Sequence, residues 1–427
     1  MSGQSISDSA NPGSLLNSLT VPSAASSSYI RGVNKDDIRV ANLSLILRLV
    51  HLNDGLLRSE LTSLTGLNRS TISSLVTELA ALGYVNEEPS TETSSLGRPS
   101  NKVTVNSDVA SLSFSPDKGF ATLAAVGLSG KVLGTVTREL KDQPDPVQMA
   151  KIAKSMLLDL TPQLNKDLRI VGLGATVPGP INTDAGTVAY CHQLDWVDVE
   201  YRKYLEKEFQ LPVSLDNDSR VACLAEKDFG AGIGFRNSVY LYGGFGGIGG
   251  GVVIDGSMLR GSAGFASELG HIRVSDTNIE DTAGLRGTLE ALVRRSDLTS
   301  VLKLKTPTDE ELRQRMLTSD SPKLAKLIEK QIDYLGTAIA SLTNIFNPDA
   351  VVLSGFLSIL YDADDYRLLS RIRDGSLSGM REQVVIRKAK LGSSAVLIGA
   401  ANLVFDSVFN NPLSVDQQNL NQVLRAS

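Results

Sequence analysis

A glycine-rich segment and three polar residues that follow it are the part of this sequence best suited to binding chemistry. Seven of the nine residues at positions 243–251 are glycine, and Glu268, His271 and Glu290 come after them. Glycine lets the backbone approach another molecule closely and adopt positive φ. The β-branched run at 252–254 predicts a strand directly after the glycines. An acid and an imidazole on a nearby loop provide fixed acceptors and donors, which the hydroxyl groups of a polyol require.

The order and spacing of these residues resemble the ROK family (repressors, open reading frames and sugar kinases). The resemblance covers about residues 100–405 and implies the two-lobed actin-like ATPase fold of ROK sugar kinases, with a cleft between the lobes. In those kinases an Asn-Asp pair at a strand end contacts the sugar, and its aspartate is the general base. The matching pair here is Asn217-Asp218. Glu268, His271 and Glu290 match the other sugar-contacting positions.

These residues also have a purely structural interpretation. Asn217 and Asp218 stand where a predicted strand meets a predicted helix, and Asn and Asp are good helix caps at such a junction. Glu268 and His271 could simply stabilise a loop. Capping and ligand binding can hold at once, so both interpretations stay open for these positions.

Two departures from the family pattern argue against catalysis and against a metal. The family's kinases carry an Asp-x-Gly-Gly-Thr phosphate loop, whereas residues 115–119 here read Ser-Pro-Asp-Lys-Gly. Serine replaces the metal-binding carboxylate and proline removes a backbone donor, so no ATP chemistry and no cofactor are expected. The family also holds zinc through the histidine and three cysteines, and those three positions here are Asp281, Ala283 and Thr288. Without thiolates we expect no zinc and no other metal.

Patterns near the amino terminus predict a winged helix–turn–helix domain over residues 31–107. Helices are expected at 34–52, at 60–65 with Ser59 as the cap, and from the cap Asn68 to about Leu82, followed by strands at 84–88 and 102–105. The third helix presents short polar side chains and one arginine, which suit base edges and phosphates. A turn at 96–100 projects a further arginine, which could enter a narrow minor groove. The predicted DNA-binding residues are Asn68, Arg69, Ser70, Thr71, Ser73, Ser74 and Arg98.

The DNA interpretation has alternatives. A three-helix module with a solvated polar face could bind protein instead, and the arginine of the turn could simply be solvated. Residues 31–102 contain eight Lys and Arg and eight Asp and Glu, so the module is neutral overall. DNA binding therefore requires that the acids and the bases lie on different faces.

The composition is that of an ordinary globular protein, and the order of the predicted strands and helices indicates the remaining domains. Residues 1–30 contain ten serines and one charged residue, which predicts a disordered tail. Strands and helices then alternate, so we expect a first α/β lobe over 108–230 and a second over 231–427 that includes the C-terminal helices. Two cysteines among 427 residues, no secretory signal and no membrane-length apolar run predict a cytoplasmic protein without membrane contact.

These observations together predict a sugar-responsive transcriptional repressor rather than an enzyme. Its partners would be operator DNA and a sugar or sugar derivative. Helix–turn–helix readers match two-fold operators, which favours a homodimer or a dimer of dimers. Two alternatives remain: an active ROK-type sugar kinase with an appended DNA-binding domain, and a repressor that needs no ligand. The altered residues 115–119 argue against the kinase.

Overall fold

The structure is a computed structural model that describes residues 34–89 and 100–425. The predicted disordered tail and the predicted DNA contact Arg98 lie outside these ranges. Within them, no helix is both long enough and apolar enough to span a membrane.

Residues 34–89 and 100–105 form an amino-terminal module, in which the structure describes three helices and three short strands. Its elements are α1 (Lys35–His51), β1 (Leu56–Leu57), α2 (Arg58–Thr65), α3 (Arg69–Ala81), β2 (Val85–Glu88) and β3 (Lys102–Val105). The strands pair antiparallel in the order β1-β3-β2. Gly66 ends α2 with a φ of 69°, in the left-handed region that favours glycine. The module therefore contains the helices and strands that the sequence predicted, with two helices joined by a tight turn.

Side-chain caps explain where these helices begin. Asn34 and Asn68 cap α1 and α3 as predicted, since the side-chain oxygen of each accepts backbone N–H donors of the first turn. The predicted cap of α2 at Ser59 is wrong, because Ser59 already lies inside the helix. The carboxylate of Glu60 instead accepts the backbone N–H of Leu57 at 2.7 Å, which satisfies one of the free donors at this helix start.

Two lobes built on one plan make up the rest of the protein. The first contains β4 (Val109–Asp117), β5 (Phe120–Gly127), β6 (Val132–Glu139), α4 (Pro146–Leu160), β7 (Arg169–Val177), β8 (Ile181–Asn182), β9 (Thr187–Cys191), β10 (Trp196–Val199), α5 (Tyr201–Phe209), β11 (Val213–Asn217) and α6 (Asp218–Phe229). The second contains β12 (Ser238–Gly243), β13 (Ile248–Ile254), β14 (Ser257–Met258), α7 (Leu289–Leu292), α8 (Arg295–Leu302), α9 (Asp309–Leu317), α10 (Pro322–Phe346), β15 (Ala350–Gly355), α11 (Phe356–Ala363), α12 (Asp365–Gly375), α13 (Ser378–Arg381) and β16 (Val385–Lys388).

The two main sheets share one topology. Their strand orders are β6-β5-β4-β7-β11 and β14-β13-β12-β15-β16. In each sheet three antiparallel strands come first and two parallel strands follow. The inner strands β7 and β15 are buried along nearly their whole length, which accounts for their continuous apolar sequence. This duplicated α/β arrangement is the actin-like fold that the resemblance implied.

The C-terminal segment belongs to the first lobe, which corrects the prediction that residues 231–427 form the second lobe. Helix α14 (Ser394–Asn410) packs on β4, β7 and α6, and β17 (Gln418–Asn419) pairs antiparallel with β7, before the short final helix α15 (Leu420–Arg425). Because α14 is apolar on most of its surface, it needs partners on several sides, and it finds them in the sheet of the first lobe and in α6. Glycine permits the close approach: a Cβ on Gly399 would lie 1.9 Å from the carbonyl oxygen of Val221 in α6.

Helix α14 also carries the amino-terminal module. Apolar residues of α1 and the rings of Phe405 and Phe409 belong to one buried cluster. The guanidinium of Arg48 donates to the carboxylate of Asp406 at 3.1 Å. The ring of His51 lies 4.7 Å from that of Phe409, and burial lowers the pKa of this histidine to about 4. The module is therefore docked on the first lobe through a continuous core and specific polar contacts.

Candidate functional site

Asn217 and Asp218 lie where β11 ends and α6 begins, beside β13 of the second lobe. The side-chain oxygen of Asn217 accepts the backbone N–H groups of Ser219 and Arg220 at 3.0 and 3.1 Å, so it caps α6. Its amide nitrogen donates to the carbonyl of Gly179 at 3.1 Å. The capping interpretation therefore holds for Asn217, and it fixes the start of the helix that presents Asp218.

Asp218 has the electrostatic character of a group placed for proton transfer or hydrogen bonding to a ligand. Burial raises its pKa to about 6, and the nearby carboxylates of Asp117 and Glu268 act in the same direction. One carboxylate oxygen accepts the N–H of Ser219 at 2.7 Å. No protein partner is found for the other oxygen among the residues that the structure describes. Asp218 can therefore offer a carboxylate to a ligand hydroxyl.

The second lobe brings Glu268, His271 and Glu290 into the same electrostatic neighbourhood. Burial raises the pKa of Glu268, an effect that Arg220 and His271 oppose and Glu290 supports. His271 ends the short 3₁₀ turn Leu269–His271 and is half-buried. Glu268 also raises the pKa of Asp218, so carboxylates from both lobes and one imidazole lie close enough to influence one another electrostatically.

Glu290 has a bracing role that the sequence did not indicate. One oxygen of its buried carboxylate accepts the backbone N–H of Ile248 at 2.9 Å, and the other accepts the N–H and the hydroxyl of Thr282. A Cβ on Gly247 would lie 2.1 Å from this carboxylate. Glu290 therefore holds the glycine-rich loop against the segment around Thr282, and direct contact with a ligand stays a prediction.

Gly249 and Gly251 provide space for a neighbouring helix, whereas the sequence suggested a close approach to a ligand. A Cβ on Gly249 would lie 2.0 Å from the hydroxyl of Ser219, and one on Gly251 would lie 2.6 Å from Cβ of Cys223. Both neighbours are on α6. The glycines let α6 of the first lobe pack directly on β13 of the second, so this helix forms part of the contact between the lobes.

The segment that replaces the phosphate loop continues a strand. Residues 115–117 extend β4 and pair with 120–122 of β5, and the turn between the strands holds Lys118 and Gly119. The hydroxyl of Thr176 donates to that of Ser115 at 2.9 Å, so the serine faces a protein partner. Burial raises the pKa of Asp117, whose charge in turn raises that of Asp218. A carboxylate thus stands near the cleft where a phosphate-binding loop would need glycine and backbone donors.

A cavity of about 320 Å³ lies beside the glycine-rich loop. It is lined by residues 244–247, 280–282 and 293–296, with Glu290 and Phe356. The exposed ring of Phe245 stands in this loop, and the guanidinium of Arg295 lies 4.3 Å from its centre. An arginine at the start of α8 therefore stacks on an aromatic ring of the glycine-rich loop.

The positions expected to hold zinc do not provide a zinc ligand set. Asp281, Ala283 and Thr288 offer one carboxylate, no donor and one hydroxyl beside the imidazole of His271. Structural zinc sites are built from four thiolate or imidazole ligands in a tetrahedron. The residues present do not fit that ion.

In the amino-terminal module, the predicted DNA-binding residues of α3 share the start of one helix. Asn68, Arg69, Ser70 and Ser74 are exposed, and Thr71 and Ser73 are half-buried. Asn68 is the helix cap, and the hydroxyl of Ser73 accepts a hydrogen bond from Arg58 at 2.9 Å. No hydrogen bond or ion pair to Arg69 is found within 34–89 and 100–425, so its guanidinium has no partner among these residues.

Sequence reasoning missed a buried charged cluster beside the site. Asp216 is fully buried, and its carboxylate pairs with Arg220 and accepts a hydrogen bond from Arg260 at 2.7 Å. Arg220 also donates to the carbonyl of Gly264. Asp216 lies in β11 and Arg220 in α6, so their spacing is not that of a helical pair and no local pattern indicated the contact. The cluster ties the loop at 260–266 in the second lobe to the strand end that carries Asn217.

Comparison with known proteins agrees with this architecture. The model of the ROK family matches residues 120–407, so the chain belongs to the ROK family. A solved ROK family transcriptional regulator, described as a homolog of the E. coli MLC protein, has a TM-score of 0.72 and 24% identity, covering 91% of this chain and 99% of its own. At that identity the likeness shows the shared fold alone.

Two relatives of known name differ in how much of this chain they match. The xylose repressor of Caldicellulosiruptor bescii is 27% identical over 395 residues, which cover 88% of this chain and 98% of the repressor. The glucokinase of Halalkalibacterium halodurans is 31% identical over 255 residues, covering 55% of this chain and 76% of the kinase. The likeness to the repressor thus extends over far more of the chain than the likeness to the kinase.

Proposed function

We propose that this protein is a sugar-responsive transcriptional repressor whose kinase-like body senses its effector and transfers no phosphoryl group. The observation that carries the proposal is a continuous path of packed helices. Helix α6 begins at the candidate ligand residues Asn217 and Asp218, α6 packs on α14, and α14 carries α1 of the amino-terminal module. A displacement of the start of α6 would therefore be transmitted through α14 to the amino-terminal module.

The amino-terminal module fits operator DNA as a winged helix–turn–helix. Helices α2 and α3 are separated by three residues, and the exposed start of α3 offers short polar side chains and the unpaired Arg69. Two acids of the module are engaged with its own arginines: Glu78 pairs with Arg39, and Glu87 pairs with Arg58. Glu78 follows Arg69 by nine positions, which places it roughly half a turn away around the helix. Among the described residues, these two carboxylates are therefore neutralised by partners within the module.

Three features support a body without kinase activity. The phosphate-loop positions hold Ser115, Pro116 and Asp117, and the aspartate adds negative charge near Asp218. A triphosphate there would face the carboxylate of Asp117, while Ser115 stands in place of a metal-binding carboxylate and Pro116 offers no backbone donor. The remaining glycine-rich loop carries Phe245, whose ring is covered by the guanidinium of Arg295 from α8. The similarity to a repressor over nearly the whole chain favours the same conclusion.

A polyhydroxylated effector suits the cleft. Asp218 and Glu268 are acceptors when ionised and donors when protonated, and His271 offers a ring nitrogen. A sugar hydroxyl both donates and accepts, so it can pair with each of these groups. An apolar molecule would leave them desolvated and unpaired, which is costly. The proposed effector is therefore a sugar or a sugar derivative, recognised by Asn217, Asp218, Glu268 and His271, with Glu290 as the least direct contact.

Regulation requires that the effector binds more tightly to one arrangement of the lobes than to the other. Coupling is reciprocal, so an effector that weakens operator binding must itself bind less tightly to the protein–DNA complex. Because helix–turn–helix readers match two-fold operators, the proposed active form is a homodimer or a dimer of dimers.

The proposal is tested with purified protein in three assays. Operator fragments are selected from genomic DNA by the protein itself, a sugar panel is screened by thermal shift, and the same panel is tested with Mg-ATP for turnover. We expect a selected operator, a sugar that raises the melting temperature and changes operator affinity, and no turnover above that of Asp218→Ala. A ligand that binds only the native state must stabilise it by mass action.

Each alternative has its own signature in these assays. Turnover of one sugar that disappears in Asp218→Ala would establish the active kinase. Operator binding that no sugar changes, together with no thermal shift across the panel, would favour a ligand-independent repressor. The absence of any selected DNA would overturn the repressor proposal.

A further inference from the structure

The side chain of Asp281 is the centre of a hydrogen-bonded cluster in the loop that follows His271. Its carboxylate is fully buried and accepts four hydrogen bonds. One oxygen accepts the backbone N–H groups of Ala283 and Leu285, both at 2.9 Å. The other accepts from Nδ1 of His271 and from the hydroxyl of Thr288, both at 2.8 Å. One buried side chain thus ties together the turn that carries His271, the loop at 281–285 and the start of α7.

The side chains of His271, Asp281 and Glu290 do not form a vacant metal-binding site. Ligand atoms of His271, Asp281 and Glu290 lie within 4.8 Å of one another, which alone would suit a cation. Both carboxylates are already engaged, however: Asp281 by the four donors above, and Glu290 by Ile248 and Thr282. The backbone N–H groups of Ala283 and Leu285 can only donate, so Asp281 serves this cluster as an acceptor. A cation would have to displace donors that the loop itself supplies.

We propose that Asp281 is a positioning residue that replaces the family's zinc ion: it holds His271 with a proton on Nδ1 and leaves Nε2 to accept a hydrogen bond from the effector. The part that concerns the effector rests on the proposed function, whereas the metal-free cluster does not. An acceptor-only carboxylate at 2.8 Å requires that Nδ1 carries the hydrogen. In neutral imidazole the other nitrogen is then an unprotonated acceptor. No partner of Nε2 is found among the described residues.

The arrangement makes a specific prediction for Asp281→Asn. An amide offers one acceptor and one NH₂ donor in place of two acceptors. The two backbone N–H groups of Ala283 and Leu285 can only donate, so the amide oxygen must face them. The NH₂ group then faces Nδ1 of His271, which has to become an acceptor. The variant should therefore move the ring proton from Nδ1 to Nε2 and present a donor where wild type presents an acceptor.

The histidine ring can be observed directly, because the chain contains only three histidines. Ring ¹⁵N and ¹³C chemical shifts of histidine-labelled protein distinguish the two neutral tautomers, and His271→Asn assigns the signal. At a pH where the ring is neutral, we expect the Nδ1–H tautomer in wild type and the Nε2–H tautomer in Asp281→Asn. The matched control is Asp276→Asn, which removes the same charge from a fully exposed side chain of the same loop and should leave the signal unchanged.

Metal content and effector binding complete the test. Elemental analysis of the protein as purified should find no stoichiometric transition metal, and later treatment with a chelator should leave the melting temperature unchanged. Asp281→Asn should weaken binding of the sugar found by thermal shift about tenfold, whereas Asp276→Asn should not. One tightly held metal ion per chain, or an Nε2–H tautomer in wild type, would overturn the proposal even if Asp281→Asn failed to fold. If no sugar binds the wild type, the proposal of a sugar effector is wrong. The tautomer and metal measurements still decide whether Asp281 positions His271.

Discussion

The substitution Asp218→Asn should stabilise the protein at neutral and alkaline pH although it removes a proposed ligand contact. Burial raises the pKa of this carboxyl group from 3.8 to about 6 in the folded protein. A group with a raised folded-state pKa stabilises the fold while it is protonated. That contribution is complete below pH 3.8 and is lost as the pH rises through about 6. Asparagine resembles the protonated acid at every pH.

The size of the effect follows from the two pKa values. Each tenfold difference in proton affinity corresponds to about 1.4 kcal/mol, so the difference between 3.8 and about 6 corresponds to about 3 kcal/mol. Asp218→Asn should therefore raise the free energy of unfolding by up to about 3 kcal/mol at pH 8. The advantage should shrink steadily between pH 6 and pH 4.5, because the wild-type carboxyl group becomes protonated in the folded state there.

Urea unfolding of wild type and Asp218→Asn at pH 8, 6 and 4.5 measures this difference. Asp142→Asn is the matched control, since Asp142 is exposed and the substitution removes the same charge. The reasoning is refuted if Asp218→Asn is no more stable than wild type at pH 8, or if its advantage is the same at all three pH values. Loss of the thermal shift with the effector in the same variant would connect this electrostatic cost to ligand binding.

Two further predictions concern the amino-terminal module and helix α14. Arg69→Ala should weaken operator binding by about 1–3 kcal/mol if the guanidinium reaches a base. If the guanidinium meets a phosphate instead, the slope of log affinity against log salt concentration should fall by about one. Arg98→Ala should reduce the preference for A·T-rich flanks. Binding titrations at several salt concentrations measure both, with exposed Arg315→Ala in the second lobe as the control; wild-type binding by both variants would remove the assigned surface. Gly399→Ala should destabilise the protein by about 1–3 kcal/mol, because the new Cβ would lie 1.9 Å from the carbonyl oxygen of Val221. Gly379→Ala, with no atom within 4 Å of its Cβ, should be close to neutral in the same urea experiment, and equal stability of the two variants would contradict the close packing of α6 and α14.

Local chemistry made part of the fold and site predictable. Asn34 and Asn68 cap their helices because a cap depends on three or four neighbouring residues. The continuous apolar runs of β7 and β15 identify strands buried on both faces, whatever surrounds them. Asp218 and Glu268, from different lobes, could be assigned to one site only because the order of motifs resembled a known family.

Long-range packing explains what could not be predicted. Helix α14 is apolar on most faces, so its pattern does not indicate which lobe it covers. The glycines of β13 could serve a ligand or a neighbouring helix, and only the position of Ser219 shows that the helix uses this space. In the sequence, Asp281 stands at a position where the family has a zinc-binding cysteine. Its partners His271 and Thr288 are 10 and 7 positions away, so the sequence did not indicate that the three side chains meet.

The docking of α1 on α14 has a consequence for how the protein is made. Ser44 and Phe409, which form one of these contacts, are 365 positions apart in the chain. At a synthesis rate of about 5–20 residues per second, the ribosome needs roughly 20–70 s to add the segment between them. During that time the amino-terminal module has emerged, while the helix that will carry it has not yet been synthesised. Its apolar face on α1 is then open to chaperones, proteases or premature pairing, so this docking surface needs protection until α14 has been made.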